Sequence, residues 1–128
     1  MIVAGVGFRQ SVEADEIVAL VEQALERASF TRNALSRLAT IEVLAALPAF
    51  TEAARRLNAV VTPVAQAALL AAAPYVPTQS AHSIAAHGVG SVAEAAALAA
   101  VGQHAQLILE RITSASATCA LARQEIGS

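Results

Sequence analysis

The stretch Ile2–Leu25, IVAGVGFRQSVEADEIVALVEQAL, predicts a strand, a loop and a helix in succession. Residues Ile2–Val6 are apolar and indicate a strand that is buried on both faces. Ser11 marks the predicted start of the helix, whose first turn carries acidic side chains that the helix dipole favours. Apolar positions then recur at helical spacing: Ile17, Leu20, Val21, Ala24, Leu25 and Ala28.

Strands and helices continue to alternate after this unit. Leu38–Val43, LATIEV, predicts a second strand, and Pro48 lies near the first turn of a helix that reaches Leu57. Ala59–Thr62 predicts a third strand, and a short helix follows Pro63. This alternation is typical of parallel strands that are joined by right-handed crossovers.

Two extended segments close the sequence. Gln106–Ile112, QLILERI, and Ala117–Arg123, ATCALAR, predict strands, and the polar link TSAS between them suits a hairpin. We expect this hairpin to lie at one edge of the sheet. The predicted fold is therefore α/β: a three-layer sandwich with a mostly parallel sheet of about five strands and an antiparallel edge hairpin, formed by residues 1–128 as a single domain.

Composition argues against several classes of protein. Of 128 residues, 56% are hydrophobic and 14% are charged, which is not typical of a disordered chain. Polar residues interrupt every apolar run before a membrane span is complete, and no secretory signal follows Met1, so we expect a cytoplasmic protein without a membrane partner. The net charge is −2, the arginines are scattered and aromatic residues are few, so nucleic acid is not an expected partner.

Neither a metal nor an organic cofactor is expected. Cys119 is the single cysteine, and the histidines lie apart from carboxylates at ligand spacing: His82, His87 and His104. Gly5–Gln10, GVGFRQ, lies between a strand and a helix, as a dinucleotide-binding fingerprint does. However, Gln10 stands where the third glycine of that fingerprint would be.

The segment His87–Gly102, HGVGSVAEAAALAAVG, predicts a well-capped helix. Ser91 and Glu94 match a capping box, in which each side chain satisfies a backbone donor near the other residue. Gly88 and Gly90 permit a positive φ or a close backbone approach, which would leave amides free to face a carboxylate or phosphate. A cap alone and a cap with ligand contact both stay open as interpretations.

Arg9 is the strongest candidate for a binding residue. The first strand delivers it to the carboxyl edge of the sheet, where open α/β folds bind ligands, and a guanidinium suits a carboxylate. Gly7 follows the same predicted strand and is a second candidate for ligand contact. His87, beside Gly88, is placed to line the same pocket. The alternatives are a solvated loop arginine and a surface or packing histidine.

Taken together, the segments resemble the CobE proteins of cobalamin biosynthesis and the similar C-terminal domain of CbiG. The resemblance rests on VAGVGFRQSVEADEIVALVEQAL, LATIEV, GVGSVAEAAALAA and ATCALAR, in this order. It implies an α/β domain that acts in corrin-ring construction. The positions that match the family are Gly5, Gly7, Arg9, Gly88, Ser91 and Glu94. Lysines that the family often carries are replaced here, by Leu44 and by Glu110 and Arg111, so no role of those amines is carried over.

The resemblance implies three alternative functions for a protein that looks like the stand-alone CobE type. The first is binding of a carboxylate-rimmed corrinoid or precorrin intermediate by Gly7, Arg9, His87, Gly88, Gly90 and Ser91. The second is hydrolysis of a precorrin or cobalt-precorrin lactone with release of acetaldehyde, in which Glu42 or His87 would be the general base and Arg9 or loop amides the oxyanion donors. The third is non-catalytic docking on another enzyme of the pathway.

Overall fold

The computed structural model describes residues 1–125 of the chain. The strands in this part are β1 (Ile2–Phe8), β2 (Leu35–Ile41), β3 (Val60–Val64), β4 (Ala105–Thr113) and β5 (Ala117–Gln124). The helices are α1 (Ala14–Arg27), α2 (Glu42–Ala45), α3 (Pro48–Leu57), α4 (Gln66–Ala71), α5 (Ala81–His87) and α6 (Val92–Val101). Short 3-10 turns lie at Arg32–Ala34 and Ala73–Tyr75.

The strands form one sheet in the order β3-β2-β1-β5-β4. β1 pairs parallel with β2, and β2 pairs parallel with β3. β5 pairs antiparallel with both β1 and β4, so β4 points the same way as β1 and β5 alone is reversed among the described strands. The structure confirms the predicted α/β sandwich, with its mostly parallel sheet and its antiparallel hairpin at one edge.

Helices cover both faces of the sheet, which gives three layers. On one face α1 and α3 bury large side chains, among them Ile17, Leu25, Phe50 and Leu57. On the other face α4 and α6 pack around Val3, Ala39 and Leu69. Burial of each large apolar side chain stabilises the fold by roughly 1.5–3 kcal/mol, so both helical layers are needed to cover an apolar sheet.

The alanine-rich helix α6 lies unusually close to the middle of β1. A Cβ atom placed on Gly5 would lie 2.6 Å from the backbone nitrogen of Ala97 and closer still to the carbonyl oxygen of Ala93. Alanine side chains on α6 and the missing side chain at Gly5 together allow this approach. The close contact fixes the start of α6 beside the end of β1.

The end of β1 and the start of α1 differ from the sequence prediction. β1 continues to Phe8 because its last residues pair with β5, where Phe8 faces Ala117. The predicted helix start at Ser11 is wrong: α1 begins at Ala14. The backbone N–H of Val12 donates to the carbonyl of Arg9 at 3.0 Å, so a turn lies between the strand and the helix.

Two further elements depart from the prediction. Glu42 and Val43 were predicted as strand but form the start of α2, and Val43 is 74% exposed, as expected of a residue outside the sheet. The segment Ala81–His87 forms α5, a helix that was not predicted from the sequence. α5 has no buried residue, so its sequence lacks the apolar spacing from which helices are predicted.

None of the helices in residues 1–125 is by itself long and apolar enough to cross a membrane. α5 and α6 reach that length and composition only as a pair, which is bent by 59°.

Candidate functional site

A polar cavity of about 250 Å³ lies at the carboxyl end of β1. Its wall is formed by the end of β1, by α5, by the first residue of α6 and by the β4–β5 hairpin. The wall carries the cationic and imidazole side chains Arg9, Arg111, His82 and His87. Three cavities are larger. Two of them, of about 520 and 670 Å³, lie near Tyr75 and Leu98 and are lined mainly by apolar side chains, without an arginine of the described residues. The third, of about 370 Å³, is lined by Arg32 and Glu22, which form an ion pair with each other, and by Glu26. The smaller cavity is therefore the better candidate for an anionic ligand.

Arg9 extends into this cavity from a fixed backbone. Its N–H donates to the carbonyl of Ser116 in the hairpin turn at 3.0 Å, and its carbonyl accepts from Val12 at 3.0 Å. The ion pairs within residues 1–125 are made by Arg32, Arg55 and Arg56. Arg9 therefore has a positioned main chain and a guanidinium without an acidic partner in the described part of the chain.

His87 reaches the same cavity from the end of α5. The following residue, Gly88, has a φ of +81° and ends the helix in a left-handed conformation that favours glycine. The carbonyl of His87 accepts a hydrogen bond from Nε2 of Gln66 at 3.3 Å. This glycine cap and this contact set the position of the imidazole, which is half-buried.

A hydroxyl group in the cavity wall has no partner. Ser83 Oγ is buried and makes no hydrogen bond to any described residue. A buried hydroxyl without a partner costs about 1–3 kcal/mol, so a polar ligand atom at this position would remove that penalty. In the sequence no GxSxG motif surrounds Ser83, so the residue was not among the predicted site residues.

Gly90 and Ser91 lie behind the cavity wall and do not line the cavity. Gly90 is buried. A Cβ atom placed on Gly90 would clash with the backbone of Thr78 and would lie 2.8 Å from the Cα atom of Gln79. Its carbonyl accepts from the N–H of Ser80 at 3.1 Å. Together with Gly88, these residues shape the loop beside the site. Their contact with a ligand stays a prediction.

The predicted capping box is present only in its serine half. Ser91 Oγ accepts from the N–H of Glu94 at 3.2 Å, as predicted. The Glu94 carboxylate does not accept a hydrogen bond from the backbone N–H of Ser91, as a complete capping box requires. It accepts instead from the N–H and Oγ1 of Thr78, at 3.0 and 2.8 Å, and from the N–H of Arg111 at 2.9 Å. Three donors from two other segments hold this buried carboxylate, so the glutamate half of the prediction is wrong.

The β4–β5 hairpin supplies the wall that faces α5. Arg111, Thr113 and the turn Ser114–Ser116 line the cavity, although the sequence analysis assigned them only to a strand and a turn. Glu16 of α1 supports this turn: its carboxylate accepts from the hydroxyl of Ser114 and, at 2.6 Å, from the N–H of Ser116. These hydrogen bonds, that from Ser114 first, lower the pKa of Glu16 below its ordinary value.

Two groups that could serve a hydrolase lie outside the cavity. Glu42 is exposed at the start of α2 and does not line the cavity with Arg9 and His87. Cys119 is fully buried, and burial raises the pKa of its thiol to about 12. Of the two general bases considered from the sequence, only His87 lies beside Arg9. In residues 1–125 no three of the side chains that ligate metals lie together.

Comparison with known proteins places the chain in a family. Residues 2–122 match the family described as "Cobalamin synthesis G C-terminus". The chain is 36% identical over 121 residues to "Protein CobE" from Sinorhizobium sp, a match that covers 94% of this chain and 79% of that protein.

Solved structures agree with this match. The crystal structure of CobE, a protein from the cobalamin (vitamin B12) biosynthetic pathway, gives a TM-score of 0.93 at 31% identity and covers 100% of this chain and 93% of that chain. The cobalamin biosynthesis protein chiG from Agrobacterium tumefaciens gives 0.78 at 36% identity, with coverage of 98% and 100%. A cobalamin biosynthesis protein G homolog from Sulfolobus solfataricus gives 0.72 at 26% identity and covers 97% of this chain, but this chain covers only 37% of it. The chain therefore belongs to the CobE/CbiG C-terminal family of cobalamin biosynthesis proteins.

Proposed function

We propose that the protein binds a corrinoid or precorrin intermediate and holds carboxylates of its rim in the cavity at the end of β1. The observation that carries this proposal is that Arg9 and His87, which lie far apart in the sequence, line one cavity. Ser83 adds to the same wall a hydroxyl that has no hydrogen-bond partner among residues 1–125. A guanidinium, an imidazole and a hydroxyl are suitable donors for a carboxylate.

The size of the cavity decides which part of such a ligand enters it. Sites that enclose a drug-sized molecule measure about 300–1,000 Å³, and a corrinoid is larger than such a molecule. A cavity of about 250 Å³ therefore accepts one or two carboxylate arms of the ring, not the macrocycle. The macrocycle itself would lie across the mouth, over the hairpin turn and α5.

The charges around the cavity favour an anionic arm. Two guanidinium groups line the wall, from Arg9 and Arg111, and no acidic side chain lines it. The carboxylates of Glu16 and Glu94 lie nearby, but each accepts hydrogen bonds from backbone N–H groups of the hairpin. Neither carboxylate lines the cavity, whose wall carries the two guanidinium groups.

A corrinoid titration tests this proposal. Hydrogenobyrinate, a coloured corrinoid with free carboxylates, is added to the protein, and binding is followed by absorbance change and by co-elution in gel filtration. We expect saturable binding that weakens about tenfold in Arg9→Ala, because a charge-assisted hydrogen bond is lost. Arg37→Ala is the matched control, since Arg37 is exposed on β2 and does not line the cavity. Pigment that never co-elutes with the wild-type protein contradicts the proposal.

A hydrolase acting on a precorrin lactone is the second candidate function, because His87 lies beside Arg9 in the cavity. In that case His87 would be the general base and Arg9 would stabilise the developing oxyanion. Incubation with a lactone-bearing intermediate, followed by an assay for acetaldehyde, tests this function. Release that is abolished in His87→Ala supports it, and the absence of acetaldehyde with the wild-type protein contradicts it.

Docking on another enzyme of the pathway is the third candidate. In the Sulfolobus protein the matching region is 37% of a longer chain, so there the domain is covalently joined to other segments. An equivalent non-covalent complex would be detected by co-purification with a tagged pathway enzyme, with an unrelated tagged protein as control.

A further inference from the structure

The edge strand β4 changes register at the residues that border the cavity. Leu109 faces Leu121 of β5 and Ile112 faces Cys119. Between these two pairs β4 has two residues, Glu110 and Arg111, whereas β5 has only one, Ala120. One extra residue on one strand is a β-bulge, and bulges at sheet edges redirect side chains next to binding sites.

Two adjacent and opposite charges at the bulge line different cavities. Arg111 lines the polar cavity with Arg9, whereas Glu110 lines the separate groove beside Pro77. The ion pairs within residues 1–125 do not include Arg111, and this guanidinium is half-buried in the cavity wall.

Glu94 holds the bulge in place. Within β4 the N–H of Arg111 donates to the carboxylate of Glu94 at 2.9 Å. The same carboxylate accepts both donors of Thr78, so α6, the Thr78 segment and β4 meet at one buried group. Glu94 is thus a positioning residue, since it holds the backbone of Arg111 and does not itself line the cavity.

We propose that Arg111 is a second anion-binding residue and that Arg9 and Arg111 together bind a ligand with two carboxylates. The inference rests on the proposed function in assigning the cavity to carboxylates, and it deepens that function by naming the ligand class. Two guanidinium groups, one after β1 and one on β4, select for two carboxylates on one molecule, because the second contact forms within an already bound complex. Neighbouring acidic arms on a corrin rim have this chemistry.

The experiment uses succinate, a small dicarboxylate, so that its result does not depend on a corrinoid. The arginine Nε–Hε signals of ¹⁵N-labelled protein are followed by NMR during titration at constant ionic strength, with acetate as the monocarboxylate control. We expect the Arg9 and Arg111 signals to shift together, with succinate binding at least about tenfold more tightly than acetate. Arg111→Ala should weaken succinate binding about tenfold, and Arg37→Ala should leave it unchanged.

The outcomes separate this inference from the proposed function. An Arg111 signal that stays fixed while the Arg9 signal moves overturns the inference, as does equal affinity for acetate and succinate. Corrinoid binding that is unaffected in Arg111→Ala likewise overturns it while leaving the proposed function intact. Succinate binding to both guanidinium groups in a protein that never binds a corrinoid supports the two-arginine site and contradicts the proposed function. Arg111→Lys, which keeps the charge, shows whether the guanidinium fork is required.

Discussion

The carboxylate of Glu94 accepts a hydrogen bond from the backbone N–H of Arg111 at 2.9 Å, across 17 positions of sequence. This bond joins the first turn of α6 to the edge strand of the sheet. Because Glu94 also accepts two hydrogen bonds from Thr78, a single buried side chain organises the wall of the candidate site. The residue that the sequence predicts as a helix cap therefore has a tertiary role.

Replacement of Glu94 by Gln should destabilise the protein by about 1–3 kcal/mol. The substituted amide has one oxygen for three donors, and its NH₂ group would face at least one N–H or O–H. The measurement is guanidinium-induced unfolding followed by circular dichroism.

Glu110→Gln is the matched control for this substitution. Glu110 is exposed, so its replacement should change the free energy of unfolding by less than about 0.5 kcal/mol. Equal stability of the Glu94→Gln and Glu110→Gln variants would contradict the role of Glu94.

Gly5→Ala should cost at least about 3 kcal/mol of stability, because β1 and α6 would have to separate to admit the methyl group. The added Cβ atom would lie 2.6 Å from the backbone nitrogen of Ala97, and backbone cannot rotate away as a flexible side chain can. Thermal and denaturant unfolding measure the loss.

Gly102→Ala separates this steric effect from backbone strain. Gly102 has a φ of +86° and a ψ of −131°, a conformation that favours glycine, but no described atom lies within 4 Å of an added Cβ, so we expect a cost of about 1–3 kcal/mol there from backbone strain alone. A Gly5→Ala variant that is more stable than Gly102→Ala would show that α6 does not pack as closely as described.

The sequence predicts the parts of the site that depend on local pattern and on parallel-strand topology. Arg9 follows a buried strand, so its place at the carboxyl edge of the sheet follows from the βαβ order. The place of Arg111 depends on a register change that β4 shows only when paired with β5. Likewise α5 carries no apolar face, and the partners of Glu94 are set by tertiary contacts. Such tertiary contacts and register changes leave no periodic pattern in a single sequence, so they are not predicted from it.

Cys119 should resist thiol reagents in the folded protein. Burial raises the pKa of its thiol to about 12, so almost no thiolate is present at neutral pH, and the side chain is fully buried. We expect Ellman's reagent to react only as fast as the protein unfolds, and to react at once in concentrated guanidinium. Rapid reaction in native buffer would contradict the position of Cys119 inside the sheet.

Glu16 should stabilise the hairpin turn at neutral pH and lose this effect in acid. The hydrogen bond from Ser114, followed by that from the N–H of Ser116, lowers the pKa of Glu16 in the folded state. A group with a lowered folded-state pKa contributes stability above its unfolded pKa, and that contribution is lost as the pH falls through the folded-state value. The wild-type protein should therefore exceed Glu16→Gln in stability at pH 7, and the difference should shrink below the ordinary pKa of a glutamate. Glu13→Gln is the control, because Glu13 is exposed and lies before α1. If the difference in stability between the wild type and Glu16→Gln is the same at pH 7 and at pH 3, the carboxylate of Glu16 does not hold the turn.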